Sequence, residues 1–365
     1  MLCVCIAFAH SKVPRTELDA LLVDVRQEDD AHQEDVGILD CSIVRTRIPG
    51  VFQVSSTDFF YPLVQSPFAQ GEIAAANVLS DMYALGLTHI DNVLMALAQS
   101  RLMEPDDAKT VTRAMIAGFA SKCREAGTRV TGGQTVKNPW PIVGGVAMSA
   151  SLEEHLIRPH GARAGDVLVL TKPLGTQLAV NCREWMVRSD RASRLAEPSE
   201  KDLASQKRLE KSLAVLDRDT MERAFLVARA SMRRLNKVAA RLMHEFEAHA
   251  ATDVTGFGLL GHAQTLAQHS QNTQLHFEID ALPIIRGMAT VDPLFPWFRL
   301  TQGLSSETSG GLLVVLPADK AASFCEALEL QEGWPAWQVG HVRYVSQKQS
   351  HSTAAIVADA SIIEV

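Results

Sequence analysis

The sequence predicts a two-domain α/β (α+β) protein, on three observations. From Gly37 onward, β-rich runs alternate with stretches of helical apolar spacing. A turn-rich segment, RPHGARAGD at 158–166, then precedes a fresh strand pattern, DVLVL. The chain of 365 residues also exceeds the ~100–200 of one ordinary domain. The expected division is an N-terminal segment at 1–30, a first domain at 31–158 and a second at 159–365.

Taken in order, residues 14–27 (PRTELDALLVDVRQ) have helical leucine and valine spacing and run into the polar linker QEDDAHQED. ILDCSIVRTRI and VFQVSST read as strands, 71–85 as a helix and DNVLMALA as a strand. A helix over 105–126 is punctuated by Pro105 and Gly127, and TRVTGG and PIVGGVAMSASL follow as strands. In the second domain DVLVLTKPLG reads as a strand entering a glycine turn and a helix. Residues 188–218 are dense in charge and broken by Pro198, which predicts a solvated surface excursion, and 219–247 predicts one long helix. Beyond ATDVTGFGLLGH come a strand at 274–280, a helix near 283–290 and a closing strand-helix-strand set.

Composition narrows the function. Hydrophobic content of 47% supplies real cores, and a net charge of −7 argues against general nucleic-acid binding, which needs a basic surplus. Six cysteines are too few for a secreted disulfide framework at this length. The opening MLCVCIAFAH lacks a basic n-region and is shorter than a span of ~20 residues, so a soluble cytoplasmic protein without a membrane partner is expected.

Four aspartates carry the chemistry. Asp40, Asp58, Asp81 and Asp253 each stand in otherwise apolar, hydroxyl or glycine surroundings. Burying an ionised group without a partner is strongly unfavourable, and hard oxygens from distant positions suit a magnesium ion shared with nucleotide phosphates. Asn77 and Asp81 share a helix face, with alanines around them that would leave space for a bulky ligand; a structural ion pair is the bland alternative. VSSTDFFYP puts hydroxyls and Asp58 at a strand end, where α/β proteins bind ligands, although a capped turn fits too. TGGQT at 131–135 and SETSGG at 306–311 read as double-glycine turns whose amides could approach a phosphate, or as plain turns. Gly256, Gly258 and Gly261 match the dinucleotide fingerprint, but HEFEAHAATDV before them does not read as a buried strand. Asp253 is placed instead at a helix entrance, where it could cap or hold a metal. The histidines and the Cys3-x-Cys5 pair lack metal-site spacing.

Taken together and in order, LDCSIV, SSTDFFYPLV, FAQGEIAAANVLSDMYALG, VTGGQT, LVLTKPLGTQ, ATDVTGFGLLGHAQ and ETSGGLLV resemble selenophosphate synthetase, in particular its eukaryotic branch, from about residue 11 to the C-terminus. The resemblance implies the aminoimidazole ribonucleotide synthetase-like fold, with an N-terminal domain that dimerises and a C-terminal α/β sandwich. It further implies that Asp40, Asp81 and Asp253 hold Mg2+ against the phosphates of ATP and that Asp58 supports them. Ile38, Leu39 and Gly132, Gly133, Gln134 and Thr135 would contact the nucleotide, and Lys12 would reach its phosphates. The implied reaction converts ATP, selenide and water into selenophosphate, AMP and phosphate, in a homodimer.

One departure stands beside these matches. His10-Ser11-Lys12-Val13-Pro14 aligns with the end of the family's mobile motif, so its cysteine or selenocysteine position falls on Ala9, and the glycines of that motif are absent. Alanine cannot form a thiolate or selenolate. Three readings stay open: a start that differs from the working enzyme's, a non-catalytic nucleotide-binding paralogue that regulates a family enzyme, and another ATP-dependent enzyme of the superfamily.

Overall fold

The computed structural model describes residues 41–346 and 350–365. The helix expected at 14–27 and its linker, together with Ala9, Lys12, Ile38, Leu39 and Asp40, lie outside these described residues.

The first sheet contains β1 (Cys41–Arg45), β2 (Val51–Phe60), β3 (Asn92–Ser100), β4 (Val130–Asn138) and β5 (Ile142–Leu152), in the order β1-β2-β5-β3-β4. Neighbours are antiparallel except β3 and β4, which are parallel. Helices α1 (Pro67–Ala84) and α2 (Pro105–Glu125) cover one face only. Strand alternation shows this directly: Phe52, Val54 and Ser56 of β2 are buried, while Gln53 and Thr57, on the opposite face, are exposed. Leu94, Ala96, Val146 and Met148 extend the open face as half-buried apolar side chains. β4, at the sheet edge, is exposed along most of its length.

Ser66 starts α1 by accepting a hydrogen bond from the Ala69 N–H at 3.3 Å, with Pro67 in the first turn. Nearly all of α1 is buried, because α2 packs on one side and the second domain on the other. The small residues that suggested room for a ligand are packing positions instead. Ala74, Ala75 and Ala76 are buried, and a side chain on Gly71 would lie 2.1 Å from the Met115 carbonyl of α2.

The second sheet contains β6 (Val167–Leu170), β7 (Ala250–Asp253), β8 (Leu275–Ile284), β9 (Leu312–Leu316), β10 (Trp337–Tyr344) and β11 (Thr353–Glu364), in the order β11-β8-β10-β6-β9-β7. Leu168, Leu170, Leu313 and Val315 pack into a core that contains Trp185 and Phe277, while Val167, Val169, Leu312 and Val314 meet Leu242, Met243, Phe324 and Leu328 on the other face. Burial on both faces is the reason DVLVL and LLVVL are continuous rather than alternating apolar runs. The covering helices are α3 (Thr176–Ala192), α4 (Glu200–Leu213), α5 (Arg218–Arg233), α6 (Lys237–Glu245), α7 (Gly258–Gln268), the short α8 (Met288–Val291) and α9 (Ala321–Glu332).

Several expectations are corrected. The charged stretch at 188–218 is mostly helical, with Ser199 and Asp202 forming a capping box for α4. Asp202 is buried between Arg188 and Arg191, so part of that charge is internal pairing and not a solvated face. The single helix at 219–247 divides at Arg234, whose ψ of 134° leaves the helical region. The strand expected at 274–280 continues to Ile284 because its tail pairs with β11, which leaves only α8 of the following helix. Ala250–Asp253 is a fully buried strand after all, so the glycine fingerprint does lie between a strand and a helix. Small alanines hid the strand signal. β7 pairs antiparallel with β9, which is not the parallel βαβ unit that fingerprint needs.

TGGQT is also strand, within β4, and not a turn. Gly133 has φ +140°, and a Cβ there would lie 2.0 Å from the Met95 carbonyl of β3. Gly133→Ala should therefore lower the stability of the nucleotide-free protein by roughly 2–4 kcal/mol, read from urea unfolding. A loss below about 0.5 kcal/mol would show that the strand pair tolerates a side chain there.

Candidate active site

Asp58 lies on the helix-covered side of β2, two residues before its end at Phe60, and Asp81 lies near the end of α1, one turn beyond Asn77. The Ser56 hydroxyl donates to Asp81 Oδ2 at 2.5 Å, and Asn77 Nδ2 donates to Asp58 Oδ2 at 3.0 Å. Asp81 is only 5% exposed, so each donor offsets part of the cost of removing its charge from water. Asp253, 4% exposed, ends β7, and α1 packs against that strand. The two domains thus bring Asp58, Asp81 and Asp253 to one boundary.

The segment SETSGG occupies the same boundary. The Ser309 N–H donates to Asn77 Oδ1 at 2.7 Å, so Asn77 is hydrogen-bonded to both domains. The Val254 N–H, beside Asp253, donates to the Gly311 carbonyl at 2.8 Å. Asn236 Nδ2 reaches Ser80 Oγ at 3.0 Å and the Gly310 carbonyl at 2.9 Å. Both glycines are required by close approach: a Cβ on Gly310 would lie 2.0 Å from the Val254 carbonyl, and one on Gly311 would lie 2.4 Å from the Lys172 nitrogen.

Lys172 sits beneath this segment, completely buried, and its Nζ donates to the Ser309 carbonyl at 2.8 Å and the Arg234 carbonyl at 2.7 Å. Burial, with the Arg234 charge adding to it, holds its amine well below the usual lysine range, against the pull of Glu332 and Asp253. The Arg234 carbonyl is available because the α5–α6 helix breaks there. Arg233, next to it, forms a two-pronged ion pair with Glu72 of α1, at 2.6 and 2.9 Å. Lys237 Nζ donates to the Ala126 carbonyl at 2.7 Å and tightens the same contact between domains.

Glu307 has a different task. Helix α3 begins at Gly175, which has no side chain to cap it. The Glu307 carboxylate, from far along the chain, accepts hydrogen bonds from the N–H groups of Gly175 at 2.7 Å and Thr176 at 3.0 Å, and from the Thr176 hydroxyl. It replaces the missing cap. Burial pushes this carboxyl up to about 7, against those three donors.

Gly132, Gly133, Gln134 and Thr135 are not at this boundary. They lie on β4, three inter-strand steps from β2 and hence about 14 Å across the sheet. Among the described residues, no three His, Cys, Asp or Glu side chains cluster closely enough to hold a metal ion. Sequence reasoning overlooked Lys172, Asn236, Glu307 and Ser309 as site residues. Lys172 carried a signal, because a lone cation two residues past the apolar run DVLVL is as unusual as the isolated aspartates.

Residues 38–150 match the N-terminal domain, and residues 163–347 the C-terminal domain, of AIR synthase related proteins. The selenide, water dikinase of Dictyostelium discoideum is 45% identical over 97% of this chain and 91% of its own length. The chain belongs to the selenide, water dikinase family. Other members are selenide, water dikinase 2 of Homo sapiens, 46% identical over 90% of this chain and 68% of that protein, and the selenide, water dikinase of Trypanosoma brucei brucei, 43% identical over 97% and 86%. Solved structures share the fold at low identity. Thiamine monophosphate kinase from Aquifex aeolicus has a TM-score of 0.60 at 16% identity, covering 97% of this chain and 98% of that one. The hydrogenase maturation protein HypE in complex with ATP has a TM-score of 0.58 at 16% identity, covering 90% and 89%. The family assignment and these folds agree with the two-domain AIR synthase-like architecture expected from the sequence.

The Glu307 cap gives a pH dependence of known sign. Its folded pKa of about 7 lies above the ordinary 4.5, so the contribution is fully present below 4.5 and is lost as pH rises toward 7. Unfolding free energies of wild type and Glu307→Gln should therefore converge or cross over that window, with a wild-type-specific change of roughly 3 kcal/mol. Parallel pH profiles for the two proteins would contradict the assignment.

Proposed function

We propose that this protein is a selenophosphate synthetase, which converts ATP, selenide and water into selenophosphate, AMP and phosphate. Family membership across almost the whole chain supports this reading. The observation that carries it is that Asp58, Asp81 and Asp253 lie on elements along one domain boundary, with Asn77 and Ser56 hydrogen-bonded to the first two. A half-buried carboxylate near a strand end and two buried ones, on a helix and at a second strand end, are hard oxygen donors of the kind magnesium accepts. That ion needs only one or two carboxylates when phosphate oxygens and water complete its shell. Asp40, Asp81 and Asp253 would hold Mg2+, and Asp58 would support the site. When bound, the metal would neutralise polyphosphate charge during in-line attack at phosphorus.

The chain's own groups would do the positioning. Ser56 and Asn77 keep the two carboxylate planes from rotating, so little reorganisation is needed as phosphate charge develops. The 306–311 segment and α1 close the boundary against water. Lys12 would reach the phosphates as a point charge, while Ile38, Leu39 and Gly132 to Thr135 would contact the nucleotide. The ATP bound to the HypE relative supports a nucleotide site on this fold. Two features support a homodimer: the half-buried apolar side chains on the open face of the first sheet, and the exposed edge strand β4, which a second copy would cover. Among the described residues no helix is long and apolar enough to cross a membrane, and a cytoplasmic location follows as part of the same proposal.

Calorimetric titration with Mg-ATP tests the site. Asp81→Ala and Asp253→Ala should each weaken binding at least about tenfold, and unchanged affinity in both would remove these residues from it. Ala9 makes a separate prediction: selenide-dependent AMP formation should be low in this chain and should rise in the Phe8→Gly, Ala9→Cys double variant. Continued inactivity with intact Mg-ATP binding would favour a nucleotide-binding paralogue without selenide chemistry.

A further inference from the structure

Ser309 combines four features that packing alone does not account for. It is 1% exposed, its φ is +48°, its backbone is held at both ends, and its hydroxyl oxygen has no hydrogen-bond partner. The N–H is committed to Asn77 Oδ1 at 2.7 Å and the carbonyl to Lys172 Nζ at 2.8 Å, so the residue cannot rotate to relieve either its left-handed backbone or its idle hydroxyl. Serine is a poor choice for that backbone. Glycine or asparagine adopts it more readily, and the next two residues, Gly310 and Gly311, are glycines. A glycine here would remove both costs at once. Strained backbone and unsatisfied buried groups of this kind collect where a ligand completes them.

The surroundings name the ligand. Through Asn77 the residue is tied to Asp58, and through Gly311 and Val254 its segment is tied to the strand end at Asp253. A hydroxyl at that point can donate to an oxygen between the carboxylates of the two domains. We propose that Ser309 is a further substrate-binding residue, whose hydroxyl donates to a phosphoryl oxygen of the metal-bound nucleotide. This rests on the reading of the boundary as an Mg-ATP site.

The test titrates wild type, Ser309→Ala, Ser309→Gly and Asp81→Ala with a non-hydrolysable ATP analogue and magnesium, alongside thermal unfolding of each nucleotide-free protein. Both Ser309 variants should bind about tenfold more weakly, with a nucleotide-free Tm that is unchanged for Ser309→Ala and raised for Ser309→Gly. A purely structural serine would lower Tm without this pattern. Affinity within twofold of wild type in both variants, while Asp81→Ala loses binding, overturns the role of Ser309 and leaves the site standing. Failure of wild type to bind the analogue overturns both. Should Ser309→Ala not fold, the relaxed backbone of Ser309→Gly carries the measurement.

Discussion

One chain of hydrogen bonds holds the site together. It runs from Lys172 Nζ to the Ser309 carbonyl, from the Ser309 N–H to Asn77 Oδ1, and from Asn77 Nδ2 to Asp58. Every member lies at or beside the boundary between the two domains, and Lys172 and Ser309 are almost wholly removed from water. In such surroundings a hydrogen bond is stronger and a missing partner is costlier, so the arrangement is close to all-or-none. Asp58 is therefore linked through Asn77 to the docking of the second domain, while Asp81 takes its hydrogen bond from Ser56 within the first.

Docking in turn depends on the interruption between α5 and α6. A continuous helix would use the Arg234 carbonyl internally and would leave Asn236 in mid-helix. The break instead offers that carbonyl to Lys172 and directs Asn236 to Ser80 and Gly310, while Arg233 grips Glu72. Small residues make the contact possible. Gly71 and Gly118 let α1 and α2 approach to backbone contact, and Gly310 and Gly311 let the 306–311 segment slide between Val254 and Lys172. The alanines of α1 act in the same way, which is why a pattern that suggested a ligand space is filled by packed helices.

The legible part of the site was the part with local contrast. Asp58, Asp81 and Asp253 stood out because an isolated carboxylate among apolar neighbours is costly wherever it ends up, and Asn77 followed from helical spacing with Asp81. Glu307 and Ser309 gave no comparable signal inside SETSGG, where any turn is compatible with the residue types. Their roles depend on partners more than a hundred residues away: Gly175 and Thr176 for the first, Asn77 and Lys172 for the second. The double glycine of TGGQT was misread as a turn for a related reason. Its need for glycine comes from the Met95 carbonyl of a neighbouring strand, which no local pattern records.

The amino-acid order by itself determined the α/β class, the apolar strands DVLVL and LLVVL, the helix punctuated by Pro105 and Gly127, and the family, because these rest on periodicity, capping and motif order within short windows. Tertiary structure alone decided that HAATD ends in a buried strand, that 219–247 is two helices, and that Lys172 and Ser309 belong with the aspartates. Those outcomes depend on which surfaces meet. A break in a helix, strand formation by alanines and the burial of a charge are each locally unfavourable or neutral choices, and contacts from distant parts of the chain make them favourable.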